Sequence, residues 1–361
     1  MKKSVLLFSF LLIFSSVIHA QEIIENPGKP LRKNAGRIVK LREMMRIRDD
    51  GVEIIFKAPY GLQIGHDGSI YFYDDWRIYI FSNEGKLVFK MIKPGQGPGE
   101  AIRRTSYLLT KDEIIVQAIN PPKIMRFDFL GNFKGEKRTE LTRTFDFVGF
   151  SEDKIYSFLG ERPYEALGKE GFVDSPQYLY EITDNFNKLN KKYSFPIKYY
   201  VIKSAWWGRA RLDFAFKDTE NLFITHTSEY KIIKFNIEEN IVERIFSRKY
   251  DRVKYPQKKE KLPSDALSPP PFKYYLDLSK ILIHKDQLWA ITSIRDKQNR
   301  RLVDVYSMKG EYIDNFYLEF PTNITPRNFA YGTIAAKEGF IYTIDEHKDG
   351  YFSVAKYKFE Y

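Results

Sequence analysis

Four histidines follow the first twenty residues, His66, His226, His284 and His347. No two stand at the short spacing that lets side chains share a zinc ion, and no acidic ligand pair accompanies them. No serine lies in a Gly-x-Ser-x-Gly elbow, the turn that exposes a nucleophile above a sheet. Cysteine is absent, which removes disulfides, thiolate metal sites and a lipid-bearing Cys. Asp74-Asp75 and Asp345-Glu346 are acidic pairs that could bind a cation or exchange protons, although closing a strand-end turn is the commoner use of such side chains. Gly95-Gln96-Gly97-Pro98-Gly99-Glu100 could turn backbone N–H groups towards an anion. It lacks the Lys-Ser/Thr ending of a phosphate loop, and no helix follows it. The run reads as a turn stiffened by Pro94 and Pro98.

The strongest chemical signal joins aromatic rings to cations. Trp206 and Trp207 precede Arg209 and Arg211, Trp76 precedes Arg77, and Arg103-Arg104 lies beside the glycine run. A further cluster runs from Arg295 to Arg301. Tryptophan faces stack on sugars and cations, and arginine forks grip carboxylate, sulfate or phosphate. These residues, with His347, are the candidate ligand-binding set. No catalytic residue, metal ligand or cofactor is expected. The ligand expected is an anionic glycan or a partner protein. An extracytoplasmic lyase or hydrolase, with or without a metal, is the alternative.

Positioning such residues on one face requires a regular scaffold, and the chain repeats one. A short apolar strand recurs at Ile70–Tyr73, Ile114–Gln117, Ile155–Phe158, Leu222–Thr225, Leu288–Ile291 and Ile341–Ile344, with starts 44, 41, 67, 66 and 53 residues apart. A polar turn such as His66-Asp67-Gly68 precedes each copy, and a second alternating strand such as Ile78–Phe81 follows. Tyr and Phe number 25 and 29, a composition that suits pleated, half-buried surfaces. Units of this length with four strands and no helix predict an all-β, six-bladed β-propeller of four-stranded antiparallel blades. The last unit ends after its third strand, so a strand at about residues 37–47 is expected to complete the final blade and close the ring. Insertions at about 159–177 and 249–273 account for the two long spacings; the second contains Ser268-Pro269-Pro270-Pro271, which cannot continue a strand. On such a ring Trp76, Arg77, Arg295, His347 and the Trp206 segment fall towards the presumed ligand entrance. His66 and His284 fall towards the opposite face.

The run Gly61-Leu62-Gln63-Ile64 with Asp67-Gly68-Ser69-Ile70-Tyr71, followed by Gly85-Lys86 and the Gly95–Glu100 run, resembles the bacterial exported six-bladed β-propeller family related to NHL-repeat propellers. The resemblance implies fold and export and carries over no catalytic residues. Lyases of the NHL fold hold zinc with histidines, and related lactonases hold calcium with acids and amides; neither set is matched here.

Export has its own signal. Lys2-Lys3 and the apolar run Val5–Ile18 read as a signal peptide over residues 1–20, with the mature domain at 21–361. The 14-residue run is short for a membrane span, so no integral membrane anchor is expected, and the mature protein is placed in the periplasm or outside the cell as a monomer. Without Lys2 and Lys3 the chain keeps 56 basic against 47 acidic residues, a net charge of +9. Ser247–Lys261 alone carries +5. An exported location makes nucleic acid a poor partner for that charge, and a solvated loop is its ordinary role.

Overall fold

The computed structural model describes residues 21–102, 105–140, 145–152, 154–160, 170–183, 186, 188–202, 205–207, 212–226, 229–255, 273–321, 325–326 and 332–360. The side chains of Thr105, Ile202, Ala205, Trp206, Trp207, His226, Thr325 and Pro326 are outside that description. The leader, Arg103, Arg104, Arg209, Arg211 and the proline run 269–271 lie outside the described residues as well. Among the described residues there is no α-helix, and no helix long and apolar enough to cross a membrane.

Alternating apolar residues set the strands. Ile70–Asp74, Ile114–Ile119, Lys154–Gly160, Leu222–His226, Gln287–Arg295 and Phe340–Glu346 are the second strands of six sheets, and each recurring apolar segment read from the sequence falls inside one of them. Each pairs antiparallel with an inner strand on one side and a third strand on the other. Tyr60–Ile64, Thr105–Leu109, Asp146–Ser151, Leu212–Phe216, Leu278–His284 and Ile334–Lys337 are the inner strands. Each touches the next, and the last touches the first, so six blades encircle one axis. Both faces of each blade bury apolar side chains against its neighbours, which is why second strands such as Ile70–Asp74 are buried at every position.

The ring closes through the amino-terminal segment. Residues Lys40–Arg48 of the strand Arg37–Arg48 pair antiparallel with the third strand of blade 6, Phe352–Glu360, as its fourth strand. Residues Arg37–Lys40 also pair in parallel with Phe316–Glu319, the outer strand of blade 5. One strand therefore welds two blades. Upstream, Glu22–Asn26 adds a parallel fifth strand to blade 4, against Arg244–Arg248. On the inside, the Leu62 amide of blade 1 donates to the Gly332 carbonyl at 2.8 Å. Gly332 holds φ at +73°, and a Cβ there would come within 2.7 Å of the Gly61 nitrogen, so a side chain is excluded at this junction.

Candidate functional site

Strand direction gives the ring two faces. The upper face carries the turns from second to third strands and the connections between blades; the lower face carries the remaining turns. Trp76 and Arg77 form the upper turn of blade 1, where Asp75 and Trp76 adopt φ of 44° and 72° and Trp76 is 42% exposed. A positive φ is unusual for a bulky residue. Beneath it, buried Asp74 accepts from the Lys57 and Ala58 amides at 2.8 Å, fixing the chain that enters blade 1. Desolvation holds the Asp74 carboxyl above its ordinary range. Arg295 ends the second strand of blade 5, and His347 follows that of blade 6, where Nε2 lies 2.9 Å from the Ser353 hydroxyl. Trp76, Arg295 and His347 thus share one end of the ring on separate blades, and among the described residues no hydrogen bond or ion pair joins them. Ala205–Trp207 is the edge of a small extra sheet with Lys198–Ile202 and Gly171–Asp174, built above blade 3 from its insertion and its exit connection. That sheet has no counterpart in the blade pattern, so the sequence repeat does not announce it.

The structure draws arginines and tyrosines together above blades 4 and 5. Arg295 and Arg301 are directly opposed partners at the end of a hairpin. Arg301 is largely buried there, and burial, followed by the charge of Arg295, pushes its guanidinium down to about 10. Tyr250 and Tyr275 lie close enough to oppose that shift. Residues 253–255 and 273–275, ahead of blade 5, pair with each other: the Tyr275 amide donates to the Val253 carbonyl, and the Tyr255 amide to the Lys273 carbonyl, both at 2.9 Å. This brings the Tyr255 and Tyr275 rings edge to face, with centroids 4.9 Å apart, and sets the Arg252 guanidinium 4.6 Å above the Tyr274 ring. Arg252 Nε donates to Asp277 at 3.0 Å, and Tyr250 shares a 2.8 Å hydrogen bond with Ser293. Burial raises the Asp277 carboxyl, Arg252 draws it back, and Glu229 adds a further rise. Sequence reading found Arg295 but missed Tyr250, Arg252, Tyr274 and Tyr275 as site residues, because the pairing of 253–255 with 273–275, not their spacing, brings them together.

The axis of the ring offers a different environment. A cavity of about 430 Å³ is lined from all six blades, by Ile64, Thr110, Phe150, Phe216, Ile283 and Ala336 among others. These residues lie in the last parts of the inner strands or just beyond them, so the cavity sits towards the lower face. Its wall includes Lys280, whose Nζ is 2.7 Å from Asp213 in a buried pair between blades 4 and 5. Among the described residues no group of three His, Cys, Asp or Glu could hold a metal ion.

A family model described as a 6-bladed β-propeller matches residues 57–206, less than half of the chain. The chain is a six-bladed β-propeller. Solved propellers of similar shape cover nearly all of it. A Bacteroides fragilis protein whose name marks it as exported aligns over 94% of this chain and 100% of its own, at 12% identity and a TM-score of 0.54. A Bacteroides vulgatus member of the duf4221 family aligns over 91% and 99%, at 11% identity and a TM-score of 0.56. At such identities the likeness is one of fold. Comparison with curated proteins finds no match.

Proposed function

We propose that this propeller is an exported binding module that holds an anionic glycan on its upper face, at the arginine–tyrosine surface above blades 4 and 5. The observation that carries the reading is the cross-strand pair Arg295 and Arg301. Two guanidinium groups set opposite each other in a ladder concentrate positive charge at one spot, and a sulfate or carboxylate brought there is attracted by both. Guanidinium forks match the two oxygens of such groups, while the tyrosine rings nearby offer apolar faces with polar edges for the sugar.

The test is titration of the mature protein with a sulfated oligosaccharide and, separately, with neutral dextran. Saturable binding of the sulfated probe alone is expected, weakening at least tenfold in Arg295→Ala. Equal binding of both probes, or undiminished binding in Arg295→Ala, overturns the proposal.

A further inference from the structure

The strand Glu22–Asn26 lies on the outer edge of blade 4 and contains none of the residues assigned to the upper-face surface. Its pairing is short, five residues in parallel with Arg244–Arg248. Few other groups hold it. Glu22 meets Arg244 at 2.6 Å, Ile24 packs half-buried against a core that includes Phe246 and Tyr306, and Ile23 is 66% exposed. The Asn26 side chain does most. Its Nδ2 donates to the Ser247 carbonyl at 3.0 Å and the Gly310 carbonyl at 2.9 Å, and its Oδ1 accepts from the Tyr312 amide at 2.9 Å. One side chain thus ties blade 4 to blade 5. Few buried contacts and, among the described residues, a single paired edge mark an element that opens before its blades do.

Contacts run from this strand into the upper-face surface. Asn26 is the register partner of Arg248, and its carbonyl accepts from the Lys249 amide at 3.4 Å. Gly28 is packed so closely that a Cβ there would lie 3.7 Å from the Lys249 Cβ. The next residue is Tyr250. Its ring lies 4.7 Å from that of Tyr230 and 5.0 Å from the Arg248 guanidinium. Its hydroxyl shares a bond with Ser293 and donates to the Asp277 carbonyl at 3.2 Å. Tyr250 and Tyr275 are the tyrosines near Arg301, and Val253 accepts from the Tyr275 amide. The stretch that enters the surface is therefore fastened at its start by Glu22–Asn26.

We infer that Glu22–Asn26 is a clasp for the upper-face surface. Docked, it holds the chain from Arg248 to Tyr255 in place beside Arg301. Lifted, it lets that stretch loosen, and affinity for the anionic glycan falls. The strand is the two-state element, and ligand and clasp bias it in the same direction, so each strengthens the other. The inference rests on the upper-face reading for its ligand, and on the contacts around Arg248 and Lys249 for its mechanism.

The test is hydrogen exchange on the full mature chain, read by mass spectrometry with and without a saturating sulfated oligosaccharide. With the probe bound, the amides of Glu22–Asn26 are expected to exchange about fivefold more slowly. Ile24→Asp with Asn26→Ala weakens the clasp in the whole chain. Residues 22–26 and 249–255 should then exchange about fivefold faster, and affinity for the probe should fall by a similar factor. The strand Ile114–Ile119 in blade 2 should not change. Ile23→Ser, on an exposed side chain, should alter none of these readings. Asn26→Ala alone should give the same changes in smaller measure, and it decides the matter if the double variant does not fold. The inference fails if residues 249–255 exchange alike in wild type and variants, or if the variants bind the probe as tightly as the wild type. It also fails if bound probe leaves exchange at Glu22–Asn26 unchanged. A wild-type chain that does not bind the probe sinks the upper-face reading instead, and exchange at 249–255 in the variants then decides the clasp.

Discussion

Blades 4 and 5 hold two clusters of arginine and tyrosine whose parts are alike and whose arrangement is opposite. In the first, fully buried Asp304 sits at the centre. Arg248 Nε reaches it at 2.8 Å, and the hydroxyls of Tyr230 and Tyr312 at 2.5 and 2.7 Å. Tyr306 joins Tyr230 at 2.8 Å, and the Arg248 guanidinium lies over the Tyr230, Tyr250 and Tyr312 rings. Burial and the Asp304 charge push the Tyr230 hydroxyl well above its ordinary range, which keeps it a donor. In the second cluster, Arg295 and Arg301 face each other across the ladder, and Tyr250 and Tyr275 lie near Arg301. A central anion supplied by the chain turns such parts into a fastening. Two cations facing each other are the arrangement that the proposed receptor role requires.

The largest effect expected from that contrast is on stability. Asp304→Ala leaves the Arg248 guanidinium, only 6% exposed, without its counter-charge, and removing one partner of a buried pair costs about 3–5 kcal/mol. Chemical denaturation should show a loss of that size. Asp304→Asn keeps the shape and accepts fewer bonds, so its loss should be smaller. A loss under about 1 kcal/mol in Asp304→Ala would mean that the buried cluster is not a fastening and would erase the contrast.

How much of this was legible in the sequence follows from the range of each signal. Strands such as Ile114–Ile119 are written locally, in alternation bounded by polar turns, and the chain shows them plainly. The closing role of Arg37–Arg48 was legible by subtraction, because the last unit lacks a strand. Glu22–Asn26 was not legible: five residues added in parallel to an outer edge need no repeat pattern. Arg295 and Arg301 were readable as the base of one hairpin. Asp304 with Arg248 and Tyr230 was not, since 56 and 74 residues separate the partners and only the packing of neighbouring blades brings them together. The same holds for Arg252 and Tyr274, which meet where Lys254 and Tyr274 form an isolated antiparallel bridge.

A middle-sized effect concerns blade 5 from its lower side. His284 is 3% exposed, its ring centroid 4.5 Å from that of Trp289, and among the described residues its Nε2 has no hydrogen-bond partner. Burial, then the charge of Lys285, lowers the imidazole from 6.5 to about 4. Between those values the unfolded chain binds a proton that the folded chain refuses, so stability falls as pH drops through the window and this contribution levels off below it. Asp74, Asp213 and Asp277, raised in the folded state, act in the opposite direction. Comparing His284→Phe with the wild type cancels them. The variant should lose less of its melting temperature between pH 7 and 4.5, and parallel curves would show that His284 takes up its proton as readily folded as unfolded.

The smallest effect has the most informative sign. Removing Arg248's partner must weaken the protein, whereas removing Arg295 relieves Arg301 of a like charge opposite it. Arg295 is exposed and gives up a 2.5 Å bond to the Asn299 side chain, in its own hairpin. Cross-strand pairs are worth about 0.2–1 kcal/mol, so Arg295→Ala should leave stability unchanged or raise it by about 0.5 kcal/mol while glycan binding falls. A residue that costs the fold a little and is needed for the ligand is what a receptor requires. Destabilisation beyond about 1 kcal/mol would instead place Arg295 with Arg248 among the fastenings, and the upper face would lose its distinguishing feature.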